Sequence, residues 1–216
     1  DAKNLSINDQ QLTQTSEFEI KRPDIEHPFF LYVLFITGFL ALALEVFYTK
    51  TLVLFIGSST YAFSLILITF LLGIVLGSWV FSFFADRIQR GYAYFGVFLG
   101  LIGFWLFLTI RFFEKLPFWY LQILQSYDSF EFGAILFSQF FVSFLVIFPA
   151  TFLMGIIFPL GIQLASPDLQ KLGKGIGKLY FANTLGGVLG SLITGFLFLP
   201  MLGYTRTLIL ISLFYF

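Results

Sequence analysis

Long apolar runs alternate with short polar breaks along the whole chain. A hydrocarbon core about 30 Å thick takes roughly 20 helical residues, and each run approaches or exceeds that length except the last. The first occupies 29–56 and is interrupted only by Glu45 and Lys50. Gly57-Ser58-Ser59-Thr60 then gives a turn signal. No charge falls between Lys50 and Asp86, which predicts a second span over 61–84. A third span is predicted over 91–110, a fourth over 132–162 and a fifth over 179–203. A sixth opens at 207 and reaches the last residue, 216, unfinished. Pro149 and Pro159 sit inside the fourth run, so a kink or tilt is expected there, with unwinding near Met154-Gly155. Barrel strands would need ten-residue alternation, and these unbroken runs lack it. The expectation is an all-α integral membrane protein, a polytopic bundle of about six transmembrane helices with the last incomplete.

The remaining segments are polar or mixed. Residues 1–28 read as a polar cytoplasmic tail without the n-region and cleavage site of a signal peptide. Residues 111–131 mix Phe112, Phe113, Phe118, Trp119 and Tyr120 with polar residues, the pattern of an amphipathic segment lying in the outer interface. Flanking Lys and Arg orient the bundle. Lys3, Lys21, Arg22, Arg87, Arg90, Lys171, Lys174 and Lys178 fall on the N-terminal side, against Arg111, Lys115 and Arg206 opposite, which predicts a cytoplasmic N-terminus. The chain starts with Asp and ends inside an apolar run, as expected of a processed or partial chain.

Composition narrows the chemistry. Of 216 residues, 58% are hydrophobic and 11% charged, against about a quarter charged in soluble domains, so a water-soluble enzyme is excluded. Twelve basic residues balance twelve acidic ones, leaving no general case for nucleic acid. There is no Cys, and the one His, His27, stands at the edge of the first run, so no metal site or cofactor motif is evident. Of the 24 charges, 22 fall at or outside the predicted interfaces, and Lys50 can snorkel to the outer surface.

Glu45 is the remaining one. It lies about 24 Å along a helix from Phe29, and a carboxylate at that depth costs several kcal/mol unless it is paired, hydrated or protonated. Two readings stay open. Either Glu45 faces a cavity and binds a proton or cation, or it is hydrogen-bonded to a neighbouring helix near Asn183 or Gln139.

Other patterns are structural. Asp86, Arg87 and Arg90 form a tight positive loop, a topology signal that could also act in gating. It resembles the loop between helices two and three of major-facilitator transporters, with Ser82, Gln89 and Gly91 departing from that motif. Gly73/Gly77, Gly96/Gly100 and Gly186/Gly190 place small residues four apart, the spacing that lets helix backbones approach in lipid. Gly173-Lys174-Gly175-Ile176-Gly177-Lys178 lacks the spacing, the Ser/Thr and the preceding strand of a phosphate loop, and reads as a flexible basic cytoplasmic loop.

Three blocks taken together look familiar. Ala41-Leu42-Ala43-Leu44-Glu45 leads to Gly57-Ser58-Ser59-Thr60-Tyr61, then Leu72-Gly73-Ile74-Val75-Leu76-Gly77-Ser78. Later, Leu153-Met154-Gly155 precedes Tyr180-Phe181-Ala182-Asn183-Thr184-Leu185-Gly186-Gly187. This resembles the transmembrane half of membrane-bound spermidine-synthase-like proteins, over about residues 29–203. The resemblance implies a membrane module, whose cytoplasmic aminopropyltransferase domain has no counterpart in these residues. Three functions follow as expectations: an accessory or anchoring subunit of a larger membrane complex, not itself catalytic; a transporter-like domain binding a small cationic solute or proton through Glu45; or the membrane half of a polyamine aminopropyltransferase. The expected partners are the lipid bilayer and other membrane subunits or a second copy in a homodimer.

Overall fold

The computed structural model describes residues 28–88, 90–125, 132–165 and 172–216. Six helices follow one another: α1 (Pro28–Ile56), α2 (Thr60–Phe84), α3 (Gly91–Gln125), α4 (Phe132–Ala165), α5 (Leu172–Ile193) and α6 (Leu199–Phe214). A 3-10 turn, Ala85–Arg87, closes α2, and a π turn, Thr194–Phe198, joins α5 to α6. There is no strand among the described residues. Five helical stretches are long and apolar enough to cross a membrane, the fifth running from Gly175 to Phe214. The chain is an all-α, multi-pass membrane bundle.

That fifth stretch is not one straight rod. Gly203 has φ +72° and ψ 177°, a conformation that breaks the helix and favours glycine. On a single straight helix Asn183 and Tyr215 would stand about 48 Å apart, yet both line one cavity. The chain therefore turns back at Gly203, and its last part runs antiparallel to α3. Phe113 meets Tyr204 at one end of that contact, and Gly103 lies against Phe216 at the other.

Two parallel helix pairs form the frame. Along α2 and α4, Tyr61 meets Phe132, and at the other end Gln163 donates to the Ala85 carbonyl at 2.9 Å. Between those ends Gly73 and Gly77 lie directly on the backbone of α4 at Thr151 and Phe152. Along α1 and α5, Gly186 and Gly190 lie on the carbonyls of Phe35 and Phe39. In lipid, where apolar side chains gain nothing by leaving the solvent, such backbone approach is what draws helices together. Gly96 and Gly100 are different: no atom stands within 4 Å of a Cβ added at either, so their face of α3 meets nothing among the described residues. α1 and α4 cross antiparallel, with Leu34 near Gly161 at one end and Gln139 near Ile56 at the other. A core of Phe47, Tyr48 and Phe113 packs edge-on between α1 and α3, with ring centroids 5.6 Å apart for the first two and 5.8 Å for Phe47 and Phe113.

Three expectations need correction. Residues 111–125 continue α3 without a break through Pro117, with Phe113 and Leu116 buried, instead of forming a separate interfacial segment; 126–131 lie outside the described residues. The basic glycine-rich stretch read as a loop belongs to α5, whose helix starts at Leu172, because Gly175 and Leu179 pack inward. α4 stays helical through Met154-Gly155. Pro159 has no N–H to offer the Gly155 carbonyl four residues back, and Ser78 Oγ on α2 donates to that carbonyl at 2.8 Å instead. Near Pro149, the Val146 carbonyl accepts from Trp105 Nε1 at 3.1 Å. Neighbouring helices thus supply hydrogen bonds where the prolines thin the ladder, and the helix need not unwind.

The close approach at the α2–α4 seam gives a direct test. Gly77→Leu should lower the unfolding free energy in detergent by about 1–3 kcal/mol, the cost of overpacking a tight contact. Gly100→Leu, in open space, should stay within about 0.5 kcal/mol of the wild type. Chemical unfolding followed by Trp fluorescence reads both; equal losses would contradict the assignment.

Candidate functional site

Between the two helix pairs lies a cavity of about 350 Å³. α1 contributes Thr37, Gly38, Ala41 and Leu42, and α2 contributes Ile74 and Ser78. α4 adds Met154, Gly155, Ile157 and Phe158; α5 adds Asn183, Thr184, Gly187 and Val188; Tyr215 follows α6. Ala41 and Leu42 sit at the middle of the membrane-length stretch Phe29–Leu54, so the cavity lies at mid-membrane depth. Its walls are mostly apolar, with a few polar groups converging on them, the ordinary make-up of a small-molecule pocket.

Those polar groups are held in place by backbone carbonyls. Thr37 Oγ1 donates to the Leu34 carbonyl at 3.0 Å, and Asn183 Nδ2 donates to the same carbonyl at 3.1 Å. The Asn183 amide oxygen accepts no hydrogen bond among the described residues, and Asn183 lines the cavity. Gly38 makes this arrangement fit, since a Cβ there would collide with the Asn183 backbone carbonyl. Ser78, on the opposite wall, is fixed by its bond to Gly155.

Glu45 lies one turn beyond Ala41 on the same face of α1, since Thr37, Ala41 and Glu45 are spaced four apart. It is half-buried. Its carboxylate makes no hydrogen bond and no ion pair among the described residues. The neighbouring Val46 touches Gly195, at 3.4 Å from a Cβ position there, inside the π turn of the α5–α6 junction. Single π turns frequently mark functional positions. Glu45 is thus the chain neighbour of that contact, toward the π-turn end of the α1–α5 seam.

The structure separates the residues that the sequence placed near Glu45. Asn183 is anchored at Leu34, whereas Gln139 Nε2 donates to the Ile56 carbonyl at 2.8 Å. Those two carbonyls stand about 33 Å apart along α1, with Glu45 midway. Neither amide partners the carboxylate, and only Asn183 reaches the cavity. The Asp86 segment forms the 3-10 turn that ends α2, pinned through Ala85 by Gln163, with Arg87 and Arg90 exposed at the bundle end. No group of three or more His, Asp or Glu able to hold a metal occurs among the described residues. Thr37 was legible from its spacing to Glu45. Ser78, Thr184 and Tyr215 were not, because only the packing of five helices brings them to one space.

Ser78 can be tested through its proline. Ser78→Ala should cost about 1 kcal/mol, leaving the Gly155 carbonyl bare. In a Pro159→Ala background, where a backbone N–H serves that carbonyl, the same change should cost much less. A double-mutant cycle of unfolding free energies in detergent measures the coupling; strict additivity would refute it.

Compared with protein-family models, curated proteins and solved structures, the chain shows no match.

Proposed function

We propose that the chain is a membrane module that binds a small organic cation at mid-membrane depth, with Glu45 as its counter-charge. The observation that carries this reading is the Glu45 carboxylate, without a partner among the described residues, one helical turn from a cavity lined by Asn183. An ionisable side chain inside the bilayer is costly, and it is retained where it meets a mobile charge, a proton or a polar ligand. The apolar remainder of the cavity suits the methylene stem of an alkylammonium ion, with the ammonium head turned toward Glu45. The resemblance to the membrane half of spermidine-synthase-like proteins favours a polyamine as the first ligand to try. It also keeps alive the reading of this module as the membrane half of an aminopropyltransferase.

A second reading, as an anchoring or accessory subunit, draws support from α3. Gly96 and Gly100 form a small-residue notch with no atom within 4 Å of a Cβ added at either. Notches of this spacing admit another helix at backbone distance, and a further membrane subunit fits there.

Equilibrium binding of radiolabelled spermidine to the chain in lipid nanodiscs tests the first reading. Saturable binding by wild type should weaken at least about tenfold in Glu45→Gln, the loss of one charged contact. It should be largely retained in Gln139→Leu, which lies away from the cavity. Absence of saturable binding by wild type, or equal affinity in Glu45→Gln, would refute the assignment.

A further inference from the structure

The two close helix pairs are copies of one another. Leu72-Gly73-Ile74-Val75-Leu76-Gly77-Ser78 on α2 and Leu185-Gly186-Gly187-Val188-Leu189-Gly190-Ser191 on α5 agree at six of seven positions, with an offset of 113 residues. The contacts obey the same offset. Gly77 lies on the Phe152 carbonyl as Gly190 lies on that of Phe39, and 39 and 152 are themselves 113 apart. A Cβ built on Gly73 would stand 3.1 Å from the Phe152 nitrogen, and one built on Gly186 would stand 3.1 Å from the Phe39 nitrogen. Gly155 packs on Ile74, and its counterpart pair, Leu42 and Gly187, also touches. The offset carries Gly91, where α3 starts, onto Tyr204, directly after the reversal at Gly203. Thus α1–α3 map onto α4–α6.

Matched helices run in opposite directions, so the halves are related by a twofold axis lying in the membrane plane. A residue that touches its own counterpart marks that axis. Gly103 and Phe216 do so, with the ring 2.9 Å from a Cβ on the glycine. Ala41 and Met154 are counterparts and both line the cavity, as are Leu42 with Gly155 and Ile74 with Gly187. The axis threads the cavity. It also exchanges the α1–α5 pair with the α2–α4 pair, each built from one helix of each half. The turn from α1 to α2 passes through Gly57, which has φ +100° and no neighbour within 4 Å of a Cβ position, a joint between the pairs.

We propose that the cavity is a two-sided site, and that the module carries its small organic cation across the membrane instead of only holding it. The proposal rests on the reading of the cavity as a cation site. Any rocking of the two pairs that opens the cavity toward one membrane face has a counterpart, with the halves exchanging roles, that opens it toward the other. Similar packing in the two halves keeps these states close in energy, and a site on the axis is reached in both.

The chain has no Cys, so a single introduced thiol is the only one to react. Ala41→Cys, Met154→Cys and the nearly isosteric Ser78→Cys are each expressed in cells and treated with a membrane-impermeant maleimide. The same is done in inverted vesicles, with Ser58→Cys, in the exposed turn, reporting sidedness. The expected result is that Ser58→Cys reacts from one side only and the three cavity thiols from both, with spermidine slowing them at least fivefold. Cavity thiols that react from one side only, or from neither while Ser58→Cys reacts, overturn the proposal. Repeating the labelling with Glu45→Gln separates the two ideas. Two-sided labelling that persists without spermidine protection supports both, because access belongs to the repeat and protection to the carboxylate. Two-sided labelling with protection unchanged by Glu45→Gln faults the role of Glu45 alone.

Discussion

Inside a bilayer, apolar side chains gain little by leaving lipid for protein, so the helices must be held by something else. Here it is the approach of backbone to backbone at glycine. Gly73 and Gly77 on one seam, and Gly186 and Gly190 on the other, each occupy a place where a single methyl group would collide with a carbonyl or a threonine side chain. At that separation the backbones of paired helices gain dispersion contacts that larger residues would prevent. The rest of the bundle depends on these two seams. They fix the distance between the two helices of each pair, and the cavity lies between the pairs so formed.

The same solvent penalises every unserved backbone group, which explains how α4 carries two prolines without unwinding. The carbonyl freed by Pro159, that of Gly155, is met by Ser78 on α2, and the Val146 carbonyl near Pro149 accepts from Trp105 on α3. Each bond ties α4 to a different neighbour. α4 is consequently the most enclosed of the helices that cross the bilayer. The prolines act less as breaks than as attachment points.

Much of this was legible in the sequence, because membrane thickness sets helix length and uncharged runs report it directly. The all-helical membrane bundle, the packing spacing of Gly73/Gly77 and Gly186/Gly190, and the singular position of Glu45 could all be read from residue order. What failed did so where local pattern competes with tertiary contact. The aromatic and charged mixture of 111–125 looks interfacial, yet Phe113 is called into the core by Phe47 and Tyr48. The glycines of 173–177 look like a loop, but glycine does not prevent helix where the following residues, such as the buried Leu179, hold the helix in place. Asn183 and Gln139 were grouped with Glu45 by polarity alone, and polarity says nothing about height along α1. The cavity could not be read at all, since its walls come from positions as distant as Thr37 and Tyr215.

The repeat also shows what the two halves do not share. At the four polar positions of the α1–α5 pair near the cavity, Thr37, Glu45, Asn183 and Thr184, the counterparts in the α2–α4 pair are Ala150, Phe158, Phe70 and Leu71. Apart from Ser78, whose hydroxyl is bonded to the Gly155 carbonyl, the polar equipment has been gathered on one pair, while both pairs keep the packing glycines. A twofold site with a carboxylate on each side would place two negative charges near each other at mid-membrane, where mutual repulsion and desolvation both raise the cost. A single carboxylate, with Phe158 at its counterpart position, avoids that cost. Symmetry is retained where it governs how the pairs pack, and abandoned where it would double a buried charge.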